Sequence, residues 1–86
     1  MRIILNFIPM LPLIPLHLLS PGVSGRVATL YGDPNEVLRL QELGLCQGAT
    51  VGMVRSGSPC ILRLGEQTLC LRTDGPLQVL VEPQSI

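Results

Sequence analysis

The feature that most constrains this chain is a series of short apolar runs cut apart by turn residues. "ATVGMVR" (49–55) is followed by the turn "SGSP", "CILRL" (60–64) by Gly65-Glu66, "QTLCLR" (67–72) by the turn "TDGP", and "LQVLVE" (77–82) closes the domain before Pro83. Within them the apolar residues alternate: Leu62 and Leu64 against Ile61 and Arg63, Leu69 and Leu71 against Cys70 and Arg72, and Leu77, Val79 and Val81 against Gln78 and Glu82. A period of two puts one set on a buried face and the other in water, the mark of a half-buried strand. Glycine in first place at 65–66 suits a type II′ hairpin turn. Upstream, "VSGRVATLYG" reads as a strand over Val23 to Tyr31, with Gly25 as a bulge or a close approach. Five short strands at near-regular spacing predict a mainly β fold, a small and partly open barrel.

One helix interrupts the strands. In "DPNEVLRLQELGLCQG", Asp33 is an N-cap, Pro34 takes the first helical position, and Glu36 completes a capping-box-like pair. Val37, Leu40 and Leu43 or Gly44 mark the buried face, with Leu38 near its edge. Gly44 suits the left-handed C′ position, and Leu45 at C″ then packs on Leu40, as in a Schellman ending. A helix of about ten residues does not hold alone in water, so it must plug or flank a barrel too small to bury itself. A second, shorter helical piece is expected in "PLHLLSPG": Pro15 opens it, Leu16 and Leu19 share a face, and Pro21-Gly22 ends it.

The first 15 residues are a separate problem. "MRIILNFIPMLPLIPLHLL" is the most apolar stretch of the chain, but Asn6, Pro9, Pro12, Pro15 and His17 interrupt it. Each proline would break backbone hydrogen bonds of a membrane-spanning helix. A signal peptide is the better rival, yet the prolines lie mid-run and no A-x-A site follows. Prolines at every third position suit a polyproline II segment. Residues 1–15 are therefore expected to form an apolar Pro-rich arm laid along the core of a domain spanning 16–83; the rival reading is a docking arm, and Met10 is an alternative start.

Composition removes several functions. The 86 residues make one domain, 47% hydrophobic and 14% charged, in which six Arg balance six acids without any Lys. No basic face is available for nucleic acid. Phe7 and Tyr31 are the sole aromatics, so neither stacking platforms for single strands nor an aromatic groove for Pro-rich peptides can be built. A net charge of zero at pH 7 gives little colloidal repulsion, which leaves self-association open.

Chemistry-bearing residues are few. His17 stands alone in an apolar context, with no acid placed to partner it, and no P-loop motif occurs. No enzyme is expected. Cys46, Cys60 and Cys70 form no CxxC pair, which argues against a zinc knuckle or a disulfide framework and fits a reducing cytosol. A hairpin turning at Gly65-Glu66 sets Cys60 opposite Leu71 and Cys70 opposite Ile61, so these two thiols point to opposite faces. That weakens a shared thiolate site and leaves the cysteines to be read as small buried hydrophobes. Arg39 and Glu42, three apart on the helix, are spaced to pair on its surface; the equal rival reading is that the helix and its "ELGL" corner form a docking edge.

Taken together, "LSPGVSGRVATLYG", "VLRLQELGLCQGATVGMV" and "LRLGEQTLCLRTDGPLQVLV" resemble the FeoA family over residues 16–82, about four-fifths of the chain. "RLQELGLCQG" is the specific part: Arg39, Leu40, Glu42, Leu43, Gly44, Leu45 and Gly48 all match the pattern R-L-x-E-L-G-L-x-x-G. Gln47 departs from it, since the family commonly has Pro there, and residues 1–15 have no counterpart. The resemblance implies an SH3-like barrel with one or two short helices. It implies a non-catalytic, cytoplasmic protein, peripheral to the membrane, that works with an FeoB-type GTPase-coupled ferrous iron transporter and binds its cytosolic part. Arg39, Glu42, Leu43, Gly44 and Leu45 are the partner-binding candidates. No catalytic residue, cofactor-binding residue or metal ligand is assigned. Two rivals stand beside this reading. One is a protein that handles or senses Fe(II) or another transition metal weakly through Cys and His. The other is a stand-alone regulatory domain like that of metal-dependent repressors, which is disfavoured because no helix-turn-helix segment precedes it.

Overall fold

A computed structural model describes residues 12–84. Six antiparallel strands form one sheet: β1 (Ile14–Pro15), β2 (Ser24–Tyr31), β3 (Thr50–Arg55), β4 (Cys60–Leu64), β5 (Gln67–Leu71) and β6 (Gln78–Gln84). Their order across the sheet is β1-β6-β2-β3-β4-β5. The helix α1 (Pro34–Glu42) lies between β2 and β3 in sequence, and Leu16–Leu18 form a single 3-10 turn. The fold is the expected mainly β, partly open barrel, with one more strand than the five counted from sequence. The sheet curls because two bulges bend it, at Ala28 in β2 and at Val54 in β3.

The additional strand is the two-residue β1, which pairs Ile14 with Val81 and Pro15 with Leu80. Strand pairing thus begins two residues before the expected domain start at 16, and Pro15 both ends β1 and caps the 3-10 turn, one position before the first helical place expected for it. The rest of the expected arm, up to residue 11, lies outside the described residues. At the other end β6 runs through Pro83 to Gln84, where the sequence suggested a stop before Pro83. Pro83 faces Gly25 of β2, beyond the reach of β1. A missing N–H is tolerated where a strand has only one neighbour.

The core is aliphatic throughout. Leu16, Leu19, Val27, Leu40, Leu45, Val51, Met53, Cys60, Leu62, Leu64, Leu71, Leu77, Val79 and Val81 are buried, and no described polar or charged residue joins them. The alternation expected in β4, β5 and β6 holds, with Leu69 half-buried near the sheet edge. Gly25 is the close approach and not the bulge: a Cβ there would stand 3.2 Å from both Leu19 Cδ1 and Val81 Cγ2.

Two glycine turns set the corners. In Ser20-Pro21-Gly22-Val23 the Val23 N–H donates to the Ser20 carbonyl at 3.0 Å, with Gly22 at φ 89°. Proline then glycine with positive φ is the type II pattern. Cys46-Gln47-Gly48-Ala49 repeats it, with Ala49 N–H to the Cys46 carbonyl at 3.0 Å and Gly48 at φ 90°. Gln47 therefore holds the position where a type II turn favours proline. Gln47→Pro is expected to raise stability by about 0.4–1 kcal/mol by restricting the unfolded chain, read as a higher urea midpoint at unchanged slope.

Candidate functional site

The helix with its closing corner is the best-defined surface feature. Asp33 caps the start, its Oδ1 accepting the Asn35 N–H at 3.0 Å. The reciprocal half of the expected capping box is missing, since no described hydrogen bond joins the Glu36 side chain to the Asp33 N–H. The end is a complete Schellman motif. The Leu45 N–H donates to the Leu40 carbonyl at 2.9 Å and the Gly44 N–H to the Gln41 carbonyl at 3.0 Å, with Gly44 at φ 104°. Leu40 and Leu45 are both buried, as that motif's apolar contact requires.

The helix's orientation departs from expectation in one respect. Leu40 is buried and Val37 and Gly44 half-buried, but Leu43 is 40% exposed and Leu38 is 53% exposed. At about 100° per residue, Val37, Leu40 and Gly44 centre the inner stripe, and Leu43 lies about 90° from it. Leu45, carried inward by the Schellman turn, occupies the core place that the sequence reading offered to Leu43. Leu38 lies about 130° from the stripe's centre, on the outer side and not at its edge. Around the exposed arc the order is Leu38, Glu42, Arg39, Leu43: an acid and a base bracketed by two leucines.

Of the five candidates, Arg39, Glu42 and Leu43 are on the surface, and Gly44 and Leu45 shape the corner behind them. The Arg39–Glu42 pair is not made. The ion pair found among the described residues is Arg72–Asp74 at 3.6 Å, with side chains 80% and 59% exposed, an arrangement worth little in water. The corner is pinned to the sheet instead: the Gln67 Nε2 donates to the Leu43 carbonyl at 3.4 Å. A Cβ on Gly44 would stand 3.3 Å from Leu64 Cδ2. Of the two positions offered for the end of the buried stripe, Leu43 and Gly44, the inner one is Gly44, while Leu43, the C-cap just before it, faces solvent.

The thiols are dispersed. Cys60 pairs with Leu71 and Cys70 with Ile61, as the turn predicted, and they lie on opposite faces. Only Cys60 is the buried small hydrophobe expected of all three; Cys46 and Cys70 are exposed. Burial pushes the Cys60 thiol up, away from the thiolate that binds metal. No group of three His, Cys, Asp or Glu that could hold a metal ion occurs among the described residues. Between the start of α1 and the 72–77 loop is an open cleft of ≈ 230 Å³, lined by Glu36, Arg72, Asp74, Gly75, Pro76 and Leu77. It is smaller and more charged than the apolar pockets that hold small molecules. No described helix is long and apolar enough to cross a membrane.

Comparison with known proteins agrees with this architecture. A crystal structure of the iron uptake regulatory protein FeoA is 27% identical, covers 85% of this chain and 100% of its own, and superposes with a TM-score of 0.75. The solution structure of the FeoA protein from Chlorobium tepidum is 25% identical, covering 79% of this chain and 70% of that one, with a TM-score of 0.68. Iron(II) transport protein A from Clostridium thermocellum shares the fold at 23% identity and a TM-score of 0.67, over 79% of this chain and 45% of that one. No curated protein matches the chain. The FeoA domain model matches residues 14–83, beginning at the first residue of β1. The chain belongs to the FeoA family, a membership that implies a role in ferrous iron transport.

Proposed function

We propose that the protein is a non-catalytic accessory of ferrous iron uptake, which works in the cytoplasm at the membrane face by docking onto the cytosolic part of an FeoB-type GTPase-coupled transporter. Docking alone is the mechanism: contact assembles or modulates the transporter, and no cofactor is needed. The observation that carries this reading is the outer arc of α1. A nine-residue helix held down by Leu40, Val37 and the Leu45 that follows it turns Leu38 and Leu43 to solvent on either side of Arg39 and Glu42. Leucine contributes apolar area and the charges contribute register, the division of labour found between the core and rim of protein interfaces. Gly44 and Leu45 fix the angle at which this arc meets the sheet.

Leu43→Ser separates docking from folding. Its side chain is partly exposed, so the melting temperature is expected to stay within a few degrees of wild type. Affinity for the purified cytosolic GTPase domain, measured by calorimetry, is expected to fall about tenfold, and Arg39→Glu is expected to act in the same direction. Unchanged affinity in both variants would move the docking surface elsewhere.

A further inference from the structure

The free edge of β5 carries a second assembly surface. β4 and β5 join through Gly65-Glu66, with Leu64 opposite Gln67. Gly65 has φ 64° and no described non-glycine residue has positive φ, in keeping with the type II′ turn. Residues flanking such a turn exchange both backbone hydrogen bonds, and bonded and non-bonded pairs alternate from there. Gln67, Leu69 and Leu71 therefore direct N–H and C=O to β4, while those of Glu66, Thr68, Cys70 and Arg72 point away from it. β5 is last in the sheet, so among the described residues no strand meets the outward groups. The strand QTLCL itself contains neither charge nor proline, the two usual protections of an edge. The opposite edge, β1, is two residues long and includes Pro15.

We propose that β5 pairs antiparallel with β5 of a second copy, across a two-fold axis through Leu69. Backbone parity restricts the choice, because an outward-pointing residue must face another. That leaves axes through Thr68, Leu69 or Cys70. The Leu69 axis sets Glu66 against Arg72 twice by symmetry, and Thr68 against Cys70. An axis through Cys70 brings Glu66 towards Asp74, a like charge, and one through Thr68 runs Arg72 past the end of the partner strand. Charge complementarity selects Leu69. Arg72 is free to take the new partner, because its contact with Asp74 is long and exposed. The half-buried Leu69 then lies against its own symmetry mate in a non-bonded pair, where side chains are closest. The chain's zero net charge offers little opposing repulsion.

Sedimentation velocity on the full chain tests this, with Cys46→Ser and Cys70→Ser removing the other exposed thiols. The expected result is a concentration-dependent shift to twice the monomer mass. Glu66→Arg and Arg72→Glu are each expected to weaken association roughly tenfold by setting like charges across the strands, and the double reversal to restore it. In the same background, Leu69→Cys is expected to give a covalent dimer with oxidised glutathione, and Thr68→Cys is not, its two copies being more than roughly 7 Å apart. Monomer at every concentration up to millimolar would overturn the proposal. So would a dimer indifferent to the single charge reversals, or one crosslinked through residue 68 instead of 69.

Discussion

Leu45→Ala is expected to cost about 2–5 kcal/mol, the range for truncating a fully buried leucine. Leu45 is 0% exposed. It is also the residue whose N–H closes the Schellman motif on the Leu40 carbonyl. Its side chain therefore fills the core at the point where the chain leaves the helix for β3. The backbone bond survives in alanine, but the apolar contact that holds the helix end to the sheet does not. A domain of 86 residues has on the order of 4–13 kcal/mol of total stability. The variant is thus expected to lose a large share of its fold, seen as a drop in the urea midpoint at unchanged slope. Leu43→Ala, two residues earlier and 40% exposed, is expected to change the midpoint little. Similar losses from both would mean that the corner is not packed as described.

Gly25→Ala is expected to cost about 1–3 kcal/mol for the opposite reason, overpacking. The added methyl would sit 3.2 Å from Leu19 Cδ1 on one side and from Val81 Cγ2 on the other. Leu19 can yield at its tip. Val81 is β-branched and fully buried, so β6 itself must shift. Gly52→Ala is the matched control: on β3 the nearest atom to a new Cβ is the Ser24 Oγ at 3.8 Å. There alanine removes the entropic cost of a strand glycine and is expected to be neutral or stabilising by a few tenths of a kcal/mol. Thermal melts of the two variants check the contrast, and equal melting temperatures would contradict it.

The fold's local punctuation was legible in the sequence where one residue type answers one geometric demand. Gly65 fixed the hairpin and with it the register of Cys60 against Leu71. Asp33 and Gly44 fixed the two ends of the helix. Features that depend on the rest of the sheet were not legible. The bulge at Ala28 has no residue signature, and Gly25 drew the bulge reading because strand glycines serve both purposes. β1 is too short to show a period, and Pro83 reads as a terminator unless the strand is known to lack a second neighbour there. At the candidate site, Arg39 and Glu42 were placed outward from spacing alone. Between Leu43 and Gly44 spacing alone left the choice open; Leu43 stays outside because Leu45, beyond the glycine turn, fills the core there.

The account rests on the outer arc of α1 being the surface that meets the transporter. The most direct measurement is a titration of isotopically labelled protein with the purified cytosolic GTPase domain, followed through amide chemical shifts. The account predicts shifts clustered on Leu38, Arg39, Glu42 and Leu43 and on the turn through Gly48. Shifts confined to β5, or silence at high partner concentration, would contradict it.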